Sequence, residues 1–290
     1  MDLFKGSDLI IPTDENAAGM SRRSFFKRAA VAGATSAFAL SGLTSLAVAQ
    51  DREDADHDYG RDHDNDDPKK RDRDILVAAQ IAEALAVTTY TNIIDLAPFF
   101  PHIPSDDQGY LMAARQEEMS HYLLEQSVTD QFTPFSSFFY PHKMFSDSQT
   151  TLNTLVTLED AFIAAYLVGV RNFSTRELRV TAARIMGIES DHRTLARVIG
   201  PDVAAQDGGP IETITGAQGV AESVDPPNNN GYERTLCWTH IDQALAALMP
   251  FVDKNAAMKA GFDTSSSYQF EPFNPVLPNP LGEFISFKGC

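Results

Sequence analysis

The chain is poor in cysteine and tryptophan, with two cysteines and one tryptophan in 290 residues. Two cysteines cannot form the framework of a disulfide-rich domain, although Cys237 and Cys290 could pair in an exported protein. Residues 237–240 read Cys-Trp-Thr-His, which lacks the second half of a zinc-ligand set. We therefore expect Cys237 to be packed on a helix rather than bound to a metal.

Basic residues are also scarce, with 23 Lys and Arg against 40 Asp and Glu and a net charge of −17. Such a charge disfavours binding to nucleic acid and to anionic membrane surfaces. It is compatible with two interpretations, attraction of cations and solubility alone.

Long apolar runs are absent after residue 50, so no membrane span is predicted in the mature chain. The run before it, 29–49, follows paired arginines in 21–27 and ends in Ala-Val-Ala, a cleavage pattern. Residues 1–49 are thus predicted to be a twin-arginine export signal, with the mature protein in the periplasm, cell envelope or extracellular space. The alternative is an uncleaved anchor, since the run is barely long enough to span a bilayer. The mature chain carries a net charge of −18, because the signal holds five basic and four acidic residues.

The remaining chain divides by composition and periodicity. Residues 50–73 are almost wholly charged and polar and are predicted to be a disordered linker. Apolar residues then recur at helical spacing in four segments, followed by a loop, a fifth helix and a Pro-rich extended tail. The predicted ranges are 74–97, 105–128, 150–171 and 174–200 for the four helices, 201–231 for the loop, 232–262 for the fifth helix and 263–290 for the tail.

The connections between the four helices define a topology. Short links join the first helix to the second and the third to the fourth, whereas about 20 residues, 129–148, separate the two pairs. Two capping boxes, at Ser105 with Gln108 and at Ser174 with Glu177, mark helix starts. Two antiparallel hairpins joined by one long crossover predict an all-α, ferritin-like four-helix bundle for residues 74–200.

Each hairpin carries the same acidic pattern. A lone glutamate lies in an apolar stripe of the first and third helices, and a Glu-x-x-His pair lies in the second and fourth. The i, i+3 spacing places carboxylate and imidazole on one helix face. One such pair usually belongs to a solvated face, but here the apolar neighbours of these residues point them inward. Counted from the helix ends, all four glutamates also lie at matching heights.

Buried, unpaired carboxylates are rarely tolerated, so these residues need cations. Two divalent ions would neutralise four glutamates, and oxygen with imidazole ligation suits Fe best, Mn next and Zn less commonly. The predicted ligands are Glu83, Glu118, His121, Glu159, Glu189 and His192.

Four neighbours of the predicted ligands were open to two interpretations. Glu117 could replace Glu118 as a ligand, but only Glu118 lies three residues before His121, and Glu125 is expected on the surface, although it could border the site. Tyr90 and Tyr166, seven residues past predicted ligands, are expected to pack in the core, but they could also support the ligands or be redox-active.

This pattern resembles the ferritin-like superfamily and, more narrowly, exported ferritin-like proteins of the desiccation- or stress-related type. The resemblance implies Glu118 and Glu189 as bridging ligands and the other four residues as terminal ones. Relatives include ferroxidases, oxygenases, manganese catalases and proteins without known activity, so two functions are expected. One is iron or reactive-oxygen handling with O2 or peroxide, and the other is a structural or stress-protective role. The segments added to the bundle argue against a ferritin-type cage, although an oligomer remains compatible with the sequence.

Overall fold

The computed structural model describes residues 67–204, 208–225 and 236–276. The predicted export signal, most of the predicted linker and Cys290 lie outside these ranges. The helices are α1 (Pro68–Leu96), α2 (Ser105–Thr129), α3 (Ser148–Asn172), α4 (Arg176–Ile199), α5 (Ile241–Val252) and α6 (Lys254–Lys259). The strands are β1 (Ser137–Pro141), β2 (Thr213–Thr215), β3 (Ala221–Ser223) and β4 (Phe262–Gln269).

The prediction of an all-α bundle with an additional C-terminal helix is confirmed. Helix α1 packs along α2 and α3 packs along α4, and the two hairpins meet through α1 and α3. Helix α5 covers α1 and α3 from outside, so these two helices are buried around most of their circumference. By length and composition α3 could cross a membrane, but 83% of its most apolar window is buried, as expected for the central helix of a bundle.

Helix α1 begins earlier than predicted. It starts at Pro68 rather than residue 74, because Asp67 accepts a hydrogen bond from the Lys69 backbone N–H (3.0 Å) and proline suits the first turn. Asp72 in this added turn is buried and accepts a hydrogen bond from the Ser174 backbone N–H (2.9 Å). The hydrogen bonds between Asp72 and Ser174 therefore attach the start of α1 to the link between α3 and α4.

Neither predicted capping box forms. Helix α2 does start at Ser105, but the Gln108 side chain donates to the Ile103 carbonyl oxygen (2.9 Å) instead of closing a box. In α4 the cap is Thr175, whose hydroxyl accepts from the Leu178 backbone N–H (3.2 Å). Ser174 is not available as a cap because it is hydrogen-bonded to Asp72.

The C-terminal region differs most from the prediction, which was one helix over 232–262 followed by an extended tail over 263–290. Residues 236–240 are not helical, α5 ends at Val252, and Asp253 caps the short α6 by accepting from the Ala256 backbone N–H (2.8 Å). Strand β4 then pairs antiparallel with β1, and β1 lies within residues 129–148, the predicted crossover. Cys237 is exposed outside any helix, so the expectation of a packed helical cysteine was wrong.

A hairpin of β2 and β3, in the region predicted as a loop, is attached to α3 and α4 by buried charges. The Arg193 Nε lies 2.5 Å from Asp160 Oδ1, and Asp160 Oδ2 accepts from the Ala217 backbone N–H (2.9 Å). Arg197 and Glu222 form a second ion pair beside the first (2.9 Å). Asp160 and Arg193 directly follow the predicted ligands Glu159 and His192 in the sequence.

Close approach of the hairpin to α3 requires glycine at position 216. A Cβ there would lie 2.2 Å from Asp160 Oδ2 and 3.1 Å from Val156. We expect Gly216→Ala to lower the free energy of unfolding by about 1–3 kcal/mol, as overpacking does. Gly187→Ala, in the exposed middle of α4 with open space around the new Cβ, should instead raise it by about 0.5–1 kcal/mol. Urea unfolding followed by circular dichroism measures both, and equal effects of the two substitutions would contradict this role.

Candidate metal centre

All four bundle helices direct acidic side chains to one level of the core. Each glutamate of the predicted set is at most 2% exposed, His192 is 3% exposed, and the His121 side chain is 12% exposed. The i, i+3 spacing in α2 and α4 turns each histidine toward the glutamate one turn before it. The structure thus brings together Glu83, Glu118, His121, Glu159, Glu189 and His192.

These side chains form two overlapping groups. In each group the potential ligand atoms lie within 4.8 Å of one another. We name the first group site A and the second site B, and both contain Glu118 and Glu189. Site A consists of Glu83, Glu118, His121 and Glu189, and site B of Glu118, Glu159, Glu189 and His192.

The two shared glutamates present one oxygen to each site. Glu118 Oε2 lies 3.5 Å from His121 Nδ1 in site A, and its Oε1 lies 2.8 Å from His192 Nδ1 in site B. Glu189 divides its oxygens in the same way, with Oε1 3.4 Å from His121 Nδ1 and Oε2 3.5 Å from His192 Nδ1. Two carboxylates placed in this way could each contribute one oxygen to a cation in site A and one to a cation in site B.

The unsatisfied atoms of the core fit the same interpretation. Eight buried side-chain atoms of the predicted ligands have no partner in hydrogen-bond geometry, even though His192 Nδ1 lies 2.8 Å from Glu118 Oε1. A buried polar group without such a partner is costly. Four glutamates carry a charge of −4 when ionised, which two divalent cations would balance. These atoms are Glu83 Oε2, Glu159 Oε2, both carboxylate oxygens of Glu118 and of Glu189, His121 Nδ1 and His192 Nδ1.

The electrostatics show what the centre requires when no cation balances it. Burial, with repulsion from Glu118 as the next cause, raises the pKa of Glu83 and of Glu159 well above its ordinary value. Burial alone would lower the pKa of both histidines, but Glu83 raises that of His121 and Glu118 raises that of His192, and both end above the usual value. Without cations, protons on these side chains would neutralise part of the buried charge.

Comparison with known families agrees with this geometry. The family model described as a ferritin-like domain matches residues 25–199, which include all four bundle helices and all six predicted ligands. The chain belongs to the ferritin-like domain family. No curated protein and no solved structure matched it.

Two tyrosines contact Glu159 and Glu83 in this ferritin-like core. The Tyr90 hydroxyl of α1 donates to Glu159 Oε1 of α3 (2.7 Å), while the Tyr166 hydroxyl of α3 contacts Glu83 Oε1 of α1. Each glutamate keeps its other oxygen without a partner. Glu83 and Tyr90 are seven residues apart on α1, as are Glu159 and Tyr166 on α3. Each of these helices therefore supplies one glutamate and the tyrosine that contacts the glutamate of the other helix. Both tyrosines are buried in the core, as expected, and both also contact predicted ligands, the alternative that the sequence left open.

Glu125 extends the site beyond the predicted set. It is 2% exposed, so the expectation of a surface glutamate was wrong. Its Oε1 is hydrogen-bonded to the Tyr166 hydroxyl (2.8 Å), which also contacts Glu83. One hydroxyl proton cannot serve two carboxylates, so this arrangement favours a proton on one of the two carboxyl groups. Burial, the largest cause, raises the pKa of Glu125 as it raises that of Glu83, in agreement with this arrangement.

Glu117 supports His192 from the solvent side. Its carboxylate lies 2.9 Å from His192 Nε2, and its side chain is 43% exposed. Because Nδ1 of His192 faces Glu118, the imidazole has one nitrogen for a metal and the other for Glu117. A carboxylate on the second nitrogen of a metal-binding histidine fixes the ring orientation and raises its basicity. The adjacency of Glu117 to Glu118 did not reveal this role, because the contact crosses from α2 to α4.

We expect Glu117→Ala to weaken metal binding at the centre by about 10–100-fold without unfolding the bundle. The reason is loss of orientation of His192, so Glu117→Gln, which retains a hydrogen-bond acceptor, should restore part of the affinity. Asp191→Ala is the matched control, because Asp191 is an exposed acidic residue adjacent to His192 on α4. Competition titration with a fluorescent chelator measures the affinities. Equal losses in the Glu117 and Asp191 variants would indicate a general effect of surface charge.

Proposed function

We propose that the mature chain is an exported di-metal oxidoreductase that handles iron or reactive oxygen species, with ferroxidase-like or peroxidase- and catalase-like chemistry. The main support is the division of the Glu118 and Glu189 oxygens between sites A and B. A structural metal site needs fewer ligands than six, whereas a pair of ions sharing two carboxylates suits chemistry that uses both.

In this proposal each group of the chain has a distinct task. Glu118 and Glu189 would be shared by two metal ions, Glu83 and His121 would complete the ligands of site A, and Glu159 and His192 would complete those of site B. Fe is the expected metal, with Mn as the second choice, and either one supplies redox chemistry that protein side chains lack. Tyr90 and Tyr166 keep the terminal glutamates oriented, and the apolar core excludes bulk water.

Metal analysis followed by rapid kinetics tests the proposal. Protein purified from its native compartment should contain about two metal ions per chain. Stopped-flow absorbance should then show oxidation of Fe(II) by O2 or peroxide, or breakdown of peroxide by the Mn form. Protein that binds metal yet reacts with neither oxidant would favour the alternative, a structural or stress-protective envelope protein whose metals stabilise the fold.

Export is the second part of the proposal and rests on the sequence of residues 1–49. Replacing Arg22 and Arg23 together by lysine should abolish export, because the paired arginines are the distinguishing feature of the twin-arginine signal. Cell fractionation shows where the chain is located, and the size of the chain shows whether the signal has been removed. The control is Arg28→Lys, which leaves the arginine pair unchanged. Export of the double-lysine variant at the normal level would contradict this part of the proposal.

A further inference from the structure

An apolar cavity lies in the bundle next to the metal centre, at the end where α1 and α4 begin. All four bundle helices line it, with side chains such as Leu76, Val128, Phe162 and Ile185. The centre of a water-sized sphere can move through about 30 Å³ of it. By this measure one water needs about 10–15 Å³, so the cavity has room for a molecule of very few atoms.

The cavity reaches the centre through two residues. Glu125 and Tyr166 belong to its wall, and the Tyr166 hydroxyl contacts Glu83 of site A. Glu125 Oε2 is a buried oxygen without a hydrogen-bond partner. A small molecule in this cavity would therefore be separated from site A by one layer of side chains.

The lining selects the kind of molecule. Apart from Glu125, Tyr166 and Thr181, the lining residues are apolar, and a hydrated ion would lose most of its solvation there. A partly exposed carboxylate, that of Glu117, contacts His192 of site B. Glu117 and Glu125 are eight residues apart on α2, about 12 Å along the helix axis. The exposed acidic group and the apolar cavity thus lie at different levels along α2.

We propose that this cavity is a binding and access site for dioxygen, the small apolar oxidant, in the redox function proposed above, on which this assignment rests. The small volume of the cavity suits a diatomic gas better than an organic chain, and its apolar lining disfavours a metal ion. Peroxide is polar and should use the side of Glu117.

Xenon binding tests the cavity independently of redox activity, since a dry apolar cavity takes up this gas. Saturable binding is expected by 129Xe NMR on the mature chain loaded with redox-inert Zn(II). Ala182→Leu and Ala165→Leu each add a side chain to the cavity wall and should remove the binding. Ala183→Leu, one residue along α4 and exposed, is the matched control and should retain it. Melting temperature and metal content establish that each variant is folded, and the two blocking variants lie on different helices.

Kinetics of the Fe(II)-loaded protein test the role of the cavity. The blocking variants should slow the reaction with O2 by at least tenfold and leave the reaction with peroxide unchanged. Absence of xenon binding, or an unchanged O2 rate in folded variants that no longer bind xenon, would overturn the assignment. Binding of benzene or hexanol by the wild type would also overturn it, because the cavity would then suit an organic substrate. If the wild type binds xenon but reacts with neither oxidant, the proposed redox function fails while the cavity remains a site for a dioxygen-sized apolar molecule.

Discussion

Glu118→Gln and Glu189→Gln are each expected to reduce the turnover of Fe(II) or peroxide by at least about 100-fold. The amide has nearly the shape of the carboxylate, so the core should remain packed. It lacks the charge and the second equivalent oxygen that a bridge between sites A and B requires, and even residues that only orient ligands are worth 10–100-fold. Metal content should fall below two ions per chain in both variants.

Glu177→Gln is the control for these substitutions. Glu177 lies exposed in the first turn of α4, the same helix as Glu189, and does not contact the centre. Its loss should cost at most a weak interaction with the helix dipole, about 0.3–1 kcal/mol, and leave turnover unchanged. Full activity of either bridging variant with two bound ions would contradict the bridging role of that residue.

The ligand set could be predicted because it depends on local periodicity. Glu-x-x-His spacing and the apolar neighbours of Glu83 and Glu159 determine the face of each helix that points inward. The ends of α1 to α4 could be placed within a few residues for the same reason, except where Asp67 and Asp72 extend α1 at its start.

Contacts between distant segments could not be predicted in this way. The support of His192 by Glu117, the burial of Glu125 and the pairing of Asp160 with Arg193 each join different helices. Each of these residues is charged or ionisable, a type usually found on the surface. Only packing of the bundle buries it or gives it a partner.

The C-terminal region shows a second limit of sequence reasoning. The apolar pattern after residue 240 continues past Val252, but a new cap at Asp253 starts another helix. Gly261 at φ 75° then reverses the chain into β4. Strand β4 forms because β1 is present in the crossover, and such non-local pairing leaves little trace in either segment alone.

Removal of metal is expected to lower the melting temperature of the mature chain by about 10 °C or more. Two sites occupied at 100 times their Kd add about 5 kcal/mol to the free energy of unfolding. In a domain of this size about 2–4 °C of melting temperature corresponds to each kcal/mol. Differential scanning calorimetry with and without a chelator measures the difference.

The difference in melting temperature between the metal-bound and the metal-free protein should depend on pH. The raised pKa values of Glu83 and Glu159 mean that the metal-free fold is favoured by protons, fully so below the usual value of 4.5. That stabilisation is lost as pH rises from 4.5 through the raised folded values. The raised pKa values of His121 and His192 act in the same direction above their usual 6.5. The pKa of Glu118, lowered because both histidines outweigh its burial, acts oppositely but only below about pH 4.5.

Above that pH the metal-free protein should therefore become less stable as pH rises, while deprotonated ligands bind metal more tightly. The loss of melting temperature on chelation should be larger at pH 8 than at pH 5.5. A Glu83→Gln, Glu159→Gln double variant is the control, because neutral amides remove two of the buried charges that need either protons or metal. Its melting temperature should respond less to both chelator and pH. A wild type whose melting temperature is the same with and without chelator at pH 8 would show that these buried carboxylates do not depend on metal.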